Sequence, residues 1–267
     1  MDQGFHGEVA DFYHRYRRGY PPEVIESLVR AFELTKDDIV VDLGCGTGQL
    51  ARPIAGRVRF VLGVDPEPDM LLAARRAAAE QEVGNVSWMV AADTDMPALA
   101  GLLGKKALGA VTIGQALHWM NRDELFPALA PLIRPGGGVA VVTNGTPMWL
   151  QDTAWSQALL DWLERWQGTR PTAPCGTDEA SQRRYRESLA AAGFDVTEAV
   201  ADYDDELDMD QIIGGLYSAL SADQLPAPDQ RPRLAEEIGT ALAPHAPFYE
   251  HVRVTMLIGR LWSADGP

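Results

Sequence analysis

Residues 40–48 read Val-Val-Asp-Leu-Gly-Cys-Gly-Thr-Gly, an apolar run that ends on an acid and is followed by glycines at 44, 46 and 48. A residue without a Cβ lets the backbone turn tightly and lets a ligand lie directly against it. The next apolar run ends on Asp65, 17 residues after Gly48, a carboxylate suited to chelating ribose hydroxyls. A dinucleotide fingerprint would want glycine at 44, 46 and 49, but position 49 is Gln and the third glycine arrives one residue early. The spacing favours a nucleoside over a pyrophosphate. A second chemical candidate is His118, which closes another apolar run in Gln115-Ala116-Leu117-His118-Trp119. An imidazole titrates near neutrality and suits proton abstraction; the competing role is a structural histidine hydrogen-bonded beside Trp119. His6, His14, His245 and His251 show no HxxxH or His/carboxylate metal spacing, so no metal is expected.

Those residues need a scaffold, and the rest of the pattern supplies one. Apolar runs at 39–43, 60–64, 86–90, 110–113 and 139–143 predict buried strands, and 194–200 and 251–262 predict two more. Helical stretches alternate with them at 67–81 and 122–133, and later at 152–166, 178–192, 209–220 and 233–242. Pro21 and Pro22 open an earlier helix whose Ile25, Leu28, Val29 and Phe32 share one face, and Pro53 predicts that the helix after the glycine turn is short or kinked. Alternating strands and helices predict a parallel sheet covered on both faces with right-handed crossovers.

Composition narrows the partners. The 267 residues carry 23 basic and 38 acidic side chains, a net charge of -15, which repels phosphate backbones and anionic membrane surfaces. Nucleic acid and membrane are therefore not expected as partners. Cys45 and Cys175 are too few for a disulfide framework, no apolar run spans a bilayer, and no leader or lipidation motif is read in residues 1–16. A cytoplasmic protein is expected.

The glycine-rich turn resembles the first motif of the class I S-adenosylmethionine-dependent methyltransferases, an acid followed by x-Gly-x-Gly-x-Gly. Further along, Asp65 resembles their ribose-binding acid, and Met70 the apolar residue that packs on adenine. Ala92-Asp93-Thr94-Asp95-Met96-Pro97 looks like the loop whose first acid reaches the adenine amino group, and Leu132-Ile133-Arg134-Pro135-Gly136-Gly137 like the turn before strand five. Tyr13, Tyr16, Arg17, Gly19, Tyr20 and Pro21 resemble the amino terminus of the small-molecule branch related to ubiquinone-biosynthesis and trans-aconitate methyltransferases, whose strand-four motif is similar to Gln115–Trp119. Arg18, where that branch commonly has proline, and Gly109, where it has aspartate, are departures.

The resemblance implies a Rossmann-like, doubly wound α/β fold with a mostly parallel seven-stranded sheet, helices on both faces and a helical insertion after strand five. The expected layout is one domain over 1–267, with cap helices in 1–38, a cofactor core in 39–144, a substrate-binding insertion and roof carrying strand six in 145–250, and a final strand at 251–262. S-adenosylmethionine, leaving as S-adenosylhomocysteine, is the implied cofactor, without a metal. Its implied contacts are Tyr13, Arg17, Asp42, Gly44, Gly46, Gly48, Asp65, Met70, Asp93, Thr94 and Gln115, with Arg17 pairing its carboxylate. His118 and Tyr16 are the implied catalytic pair, although Tyr13 and Tyr16 equally suit packing of the first helix.

For the acceptor, 187–229 holds eleven acids and no lysine or arginine. Such a run is either a solvated face or a lure for a cationic small molecule such as an amino sugar, N-methylated in secondary metabolism or antibiotic biosynthesis. The alternatives are O- or C-methylation of an apolar, quinone-like compound, with Trp149, Trp155, Trp162 and Trp166 lining a pocket or packing a core, and a non-catalytic cofactor-binding protein. Oligomeric state is not read from the sequence.

Overall fold

Valine- and isoleucine-rich runs, charged only near their ends and bounded by turn residues, become the inner strands of one sheet. A computed structural model describes residues 4–173 and 175–261; Trp262, the last residue of the predicted final strand, lies outside them. The strands are β1 (Ile39–Leu43), β2 (Phe60–Asp65), β3 (Val86–Val90), β4 (Leu108–Gly114), β5 (Ile133–Asn144), β6 (Asp195–Leu207) and β7 (Phe248–Arg260). Their order is β3-β2-β1-β4-β5-β7-β6, parallel through β5, with β7 antiparallel to both neighbours. The order reverses between β1 and β4, and in open α/β sheets ligands bind in the crevice above that reversal, at the strands' carboxyl ends. This is the Rossmann-like, doubly wound, mostly parallel seven-stranded sheet expected.

Both faces are covered. On one, α2 (Pro22–Ala31) and α3 (Ala51–Ala55) pack on Val40, Val61, Ala110, Ala140 and Val142. On the other, α5 (Met96–Leu103), α6 (Arg122–Leu129) and α8 (Glu179–Ala191) cover Val41, Leu43, Val64, Val111, Ile113 and Val141. Successive strand residues thus serve opposite cores, as a pleat requires. With Pro53 inside it, α3 is a single short turn, as predicted. α4 (Pro68–Glu80) packs along β3 and against α1 (Glu8–Tyr16).

A third core stands above the sheet, where α7 (Ala154–Gln167), α9 (Met209–Tyr217) and α10 (Arg231–Leu242) enclose Trp155, Leu159, Ile212, Leu216, Ile238 and Phe248. Local chemistry delimits these helices. The Thr153 hydroxyl caps α7, whose chain leaves through Gly168 at φ 73°, and Asp208 with Gln211 forms a reciprocal capping box on α9. The expected single insertion is instead two excursions: α7 and α8 lie between β5 and β6, α9 and α10 between β6 and β7. Of these, α8 belongs to the sheet's own covering layer.

Other boundaries moved for identifiable reasons. The helix predicted over 122–133 ends at Leu129, because Pro131 lacks an N–H and Ala130–Leu132 tightens into a 3₁₀ turn before β5. The strand predicted over 194–200 runs on to Leu207, and its partner starts at Phe248 rather than His251. These extensions pair as one ribbon, Ala201↔Val254 to Leu207↔Phe248, whose charged residues concealed the strand signal. Much of the acidic run is therefore edge strand, while Asp208 and Asp210 stand at the start of α9. Asp202, Asp204 and Glu206 alternate outward on the edge strand, where charge discourages pairing with another chain.

Candidate functional site

The carboxyl ends of β1, β2, β3, β4 and β5 bring together the turn 42–48, Asp65, Asp93, the stretch Gln115–His118, and Asn144. Asp42 is buried below the turn, where its Oδ1 accepts a hydrogen bond from Thr112 Oγ1 at 2.7 Å. Burial pushes its carboxyl up to about 7, against the Thr112 and Ala51 hydrogen bonds that favour the charged form. Asp42 braces the turn from beneath rather than facing a ligand.

The three glycines of the turn all have positive φ, 67° at Gly44, 52° at Gly46 and 82° at Gly48, but they have different neighbours. A Cβ on Gly44 would stand 2.4 Å from the Ala116 Cβ, and one on Gly48 would stand 2.7 Å from the Trp88 ring. Only at Gly46 is there room, the nearest atom being Tyr13 Cε1 at 3.6 Å. Two glycines are there for packing and one for an open face, a division that the spacing alone did not reveal. Trp88, on β3 and also against Gly63, was not anticipated.

Asp65 ties the turn to the next strand. Its Oδ2 accepts from the Gly46 N–H at 2.8 Å and its Oδ1 from the Glu67 N–H at 3.0 Å. Burial raises its pKa, while these two bonds oppose the rise. Each carboxylate oxygen retains acceptor capacity for a ribose hydroxyl. Met70 is buried in the first turn of α4. Asp93 accepts at Oδ2 from the Asn121 N–H at 3.0 Å, joining the loop after β3 to the segment after β4, and the neighbouring Thr94 is exposed.

Above the turn, Tyr13 presents its hydroxyl to the two strand ends. Burial raises its pKa, Arg17 opposes the rise, and Asp65, Cys45 and Asp42 add to it. The Arg17 guanidinium carbon lies 5.3 Å from the Tyr13 ring centroid, and no carboxylate pairs with Arg17 among the described residues. Tyr16, three residues on, turns elsewhere: its ring lies on Gly214 and its hydroxyl donates to Asp210 Oδ2 at 3.0 Å. The structure thus brings Tyr13 and Arg17 to the turn and directs Tyr16 to α9. Phe5 stands edge-on to Tyr13 at 6.1 Å and to Trp119 at 6.4 Å, and Trp119 tilts against His118 at 5.0 Å. An aromatic string crosses the mouth of the crevice.

Gln115 holds a left-handed backbone at φ 54°, which costs a non-glycine residue about 1–2 kcal/mol. Among the described residues its buried Oε1 has no hydrogen-bond partner, nor has the buried Thr47 Oγ1 in the turn. Strain and orphaned polar atoms at a sheet's carboxyl edge are the marks of a site built for a polar ligand. His118 follows in a 3₁₀ turn, Leu117–Trp119. Its residue surface is exposed, yet desolvation of the ring lowers the imidazole to about 4, so the ring is neutral at neutral pH. Among the described residues no cluster of three His, Cys, Asp or Glu could hold a metal, and no helix is long and apolar enough to cross a membrane.

The tryptophans considered for a pocket serve packing. Trp155 and Trp162 are buried in the third core, Trp166 stacks on Trp162 at 5.5 Å, and Trp149 packs against the same cluster. Sequence reasoning also missed Tyr20, whose hydroxyl lies over Gly114, although it stands inside the amino-terminal pattern already singled out.

Comparison with known proteins agrees with this geometry. Residues 40–137 match the methyltransferase domain family. An uncharacterized methyltransferase of Mycobacterium tuberculosis is 35% identical over 138 residues, 52% of this chain and 51% of that protein, so the chain spans about half the length of the curated relatives it matches. A protein of Anaeromyxobacter dehalogenans, solved as a candidate type II methyltransferase, superposes with a TM-score of 0.60 at 22% identity, over 92% of this chain and 99% of that one. A geranyl diphosphate methyltransferase solved in complex with S-adenosylmethionine superposes with a TM-score of 0.50 at 17% identity, over 97% and 93% of the two chains.

Proposed function

We propose, from the match of residues 40–137 to the methyltransferase domain family, an enzyme that binds S-adenosylmethionine at the 42–48 turn and transfers its methyl group to a small molecule. The observation that carries this reading is the open face of Gly46, roofed by Tyr13 and bonded to Asp65, in a turn region where the buried Thr47 Oγ1 and Gln115 Oε1 find no hydrogen-bond partner among the described residues. These residues fit the group. Asp65 would receive the ribose hydroxyls, Asp93 and Met70 would hold the adenine, and Arg17, paired with no carboxylate among the described residues, would pair with the methionyl carboxylate. Gly44 and Gly48 shape the turn, Thr94 flanks Asp93, and Gln115 supplies an acceptor beside the turn.

S-adenosylmethionine held there would supply an electrophilic methyl group, its S–CH3 bond breaking as the acceptor–CH3 bond forms and the thioether S-adenosylhomocysteine being the leaving group. The chain's own share is alignment and water exclusion, which provide most of the acceleration in such a transfer. Tyr13, Phe5 and Trp119 cover the crevice. His118, neutral and beside that cover, accepts the acceptor's proton; its low basicity suits an acceptor whose proton becomes acidic as the bond forms. Tyr16, fixed to Asp210, contributes by holding α1 against α9.

For the acceptor, Trp119 is 53% exposed at the mouth beside His118, which favours an apolar or planar compound methylated at oxygen or carbon. A cationic amine or amino sugar rests on the acidic run, whose outward residues line the edge of β6. Calorimetry with S-adenosylhomocysteine and with a nicotinamide dinucleotide tests the cofactor: heat with the first alone is expected, and heat with the second alone overturns the proposal. Labelled methyl incorporation over apolar and amine acceptors then separates the two acceptor classes. Binding without any incorporation assigns a cofactor-binding protein instead of an enzyme.

A further inference from the structure

Five residues, 17–21, connect α1 to α2 across the carboxyl edge of the sheet, and Arg18, Gly19 and Tyr20 are each held by a different strand. The Arg18 guanidinium pairs with Glu250 on β7, whose side chain is fully buried, and its charge opposes the rise that burial gives the pKa of Tyr203 on β6. The Gly19 carbonyl accepts from Asn144 Nδ2 at 3.0 Å, at the end of β5. Tyr20 lies over Gly114 at the end of β4. Glu250 is held from its other side by Gln151 Nε2 at 2.8 Å, and Gln151 in turn is bonded through its N–H to Ser156 at the start of α7.

We infer that Arg18 is a positioning residue: its pairing with buried Glu250 anchors the linker so that Arg17 and Tyr13 stand over the glycine turn. This rests on the cofactor reading above and assigns that site a distant support on β7. The mechanical reason is short reach. Adjacent Cα atoms are about 3.8 Å apart, so Arg17 cannot keep its place if Arg18 moves by more than about twice that. Arg17 closes α1 through its N–H to the Tyr13 carbonyl at 3.0 Å, so Tyr13 shares the constraint. A proline at 18 would stiffen the same linker through its ring and its effect on residue 17. Here a side-chain tether performs that task, and it couples the linker to the β6–β7 ribbon and, through Gln151, to the third core.

Removing Arg18 alone would strand a buried carboxylate, which destabilises the fold for reasons unrelated to the cofactor. The test therefore compares Arg18→Met, Glu250→Gln and the double variant, the last leaving no buried charge unpaired. The readouts are melting temperature, S-adenosylhomocysteine Kd by calorimetry, amide exchange of residues 17–20 without cofactor, and the division of any kinetic loss between KM and kcat. Expected is a Kd weakened roughly tenfold in Arg18→Met and in the double variant, where one decade is about 1.4 kcal/mol. Linker exchange quickens in both, the double variant regains the melting temperature that Arg18→Met loses, and cofactor KM suffers more than kcat. Wild-type affinity in the double variant, or unchanged linker exchange, overturns the inference alone. Absence of binding by the unaltered protein removes the cofactor reading and this inference together.

Discussion

Chemistry at the scale of single residues turns on how burial distributes protons. His118 has no ion-pair partner among the described residues, and desolvation lowers its imidazole to about 4. Its ordinary value near 6.5 would have it half protonated close to neutrality; the protein keeps it neutral instead. The His118→Ala variant is expected to bind S-adenosylhomocysteine as the wild type does while turning over more slowly, by about 10²-fold if the ring is the general base. Because the wild-type ring is already neutral, the ratio of the two rates should stay flat from about pH 6 to about pH 9. A ratio that changes with an inflection near 6.5 would show a ring exposed enough to titrate normally. An unchanged rate would reduce His118 to a partner for Trp119.

At the scale of elements, the turn after β1 shows why a regular glycine pattern need not have a single cause. Gly44 yields to Ala116 from the loop after β4, Gly48 to Trp88 from β3, and Gly46 faces the crevice. A Gly48→Ala change therefore meets both a positive φ and the Trp88 ring, and should lower stability by more than the roughly 1–2 kcal/mol of left-handed strain. The companion Trp88→Leu change should return part of that loss. Gly46→Ala meets only the backbone strain, so its melting temperature should fall less than that of Gly48→Ala while its loss of cofactor affinity is the larger. Chemical denaturation beside calorimetry resolves the two; equal effects on affinity would mean that the turn has no privileged open face.

For the molecule as a whole, the buried Asp42 links the sheet's integrity to pH. Its folded pKa, about 7, lies above the 3.8 of the free side chain. Between those values the folded protein retains a proton that the unfolded chain has lost. This contribution is thus most favourable below about pH 4 and declines as pH rises through about 7. At about 1.4 kcal/mol per unit the whole effect is on the order of a few kcal/mol. Asp42→Asn keeps an oxygen for Thr112 but cannot ionise. Relative to wild type, the variant should gain stability as pH is raised from about 4 to about 8, measured by urea titration at each pH. A constant difference would mean that Asp42 is charged in the folded state throughout. Cofactor affinity should also weaken in the variant if the carboxylate orients the turn.

Sequence alone determined the alternation of apolar runs and helical stretches, and with it the parallel part of the sheet, because a strand buried on both faces must be apolar throughout. It also determined which acids and glycines lie at the strand ends, since a strand–turn–helix unit is local. What it concealed depends on neighbours distant in the chain. The outer halves of β6 and β7 carry charge because one face of an edge ribbon meets water, so their sequence did not read as strand. Tyr13 and Tyr16 stand three positions apart on one helix, yet one meets the glycine turn and the other α9. Arg18 reads as a mere departure until Glu250, 232 residues later, is brought beneath it. Only tertiary packing could decide these, because a side chain's role follows from what is desolvated against it, and that partner need not be anywhere near in sequence.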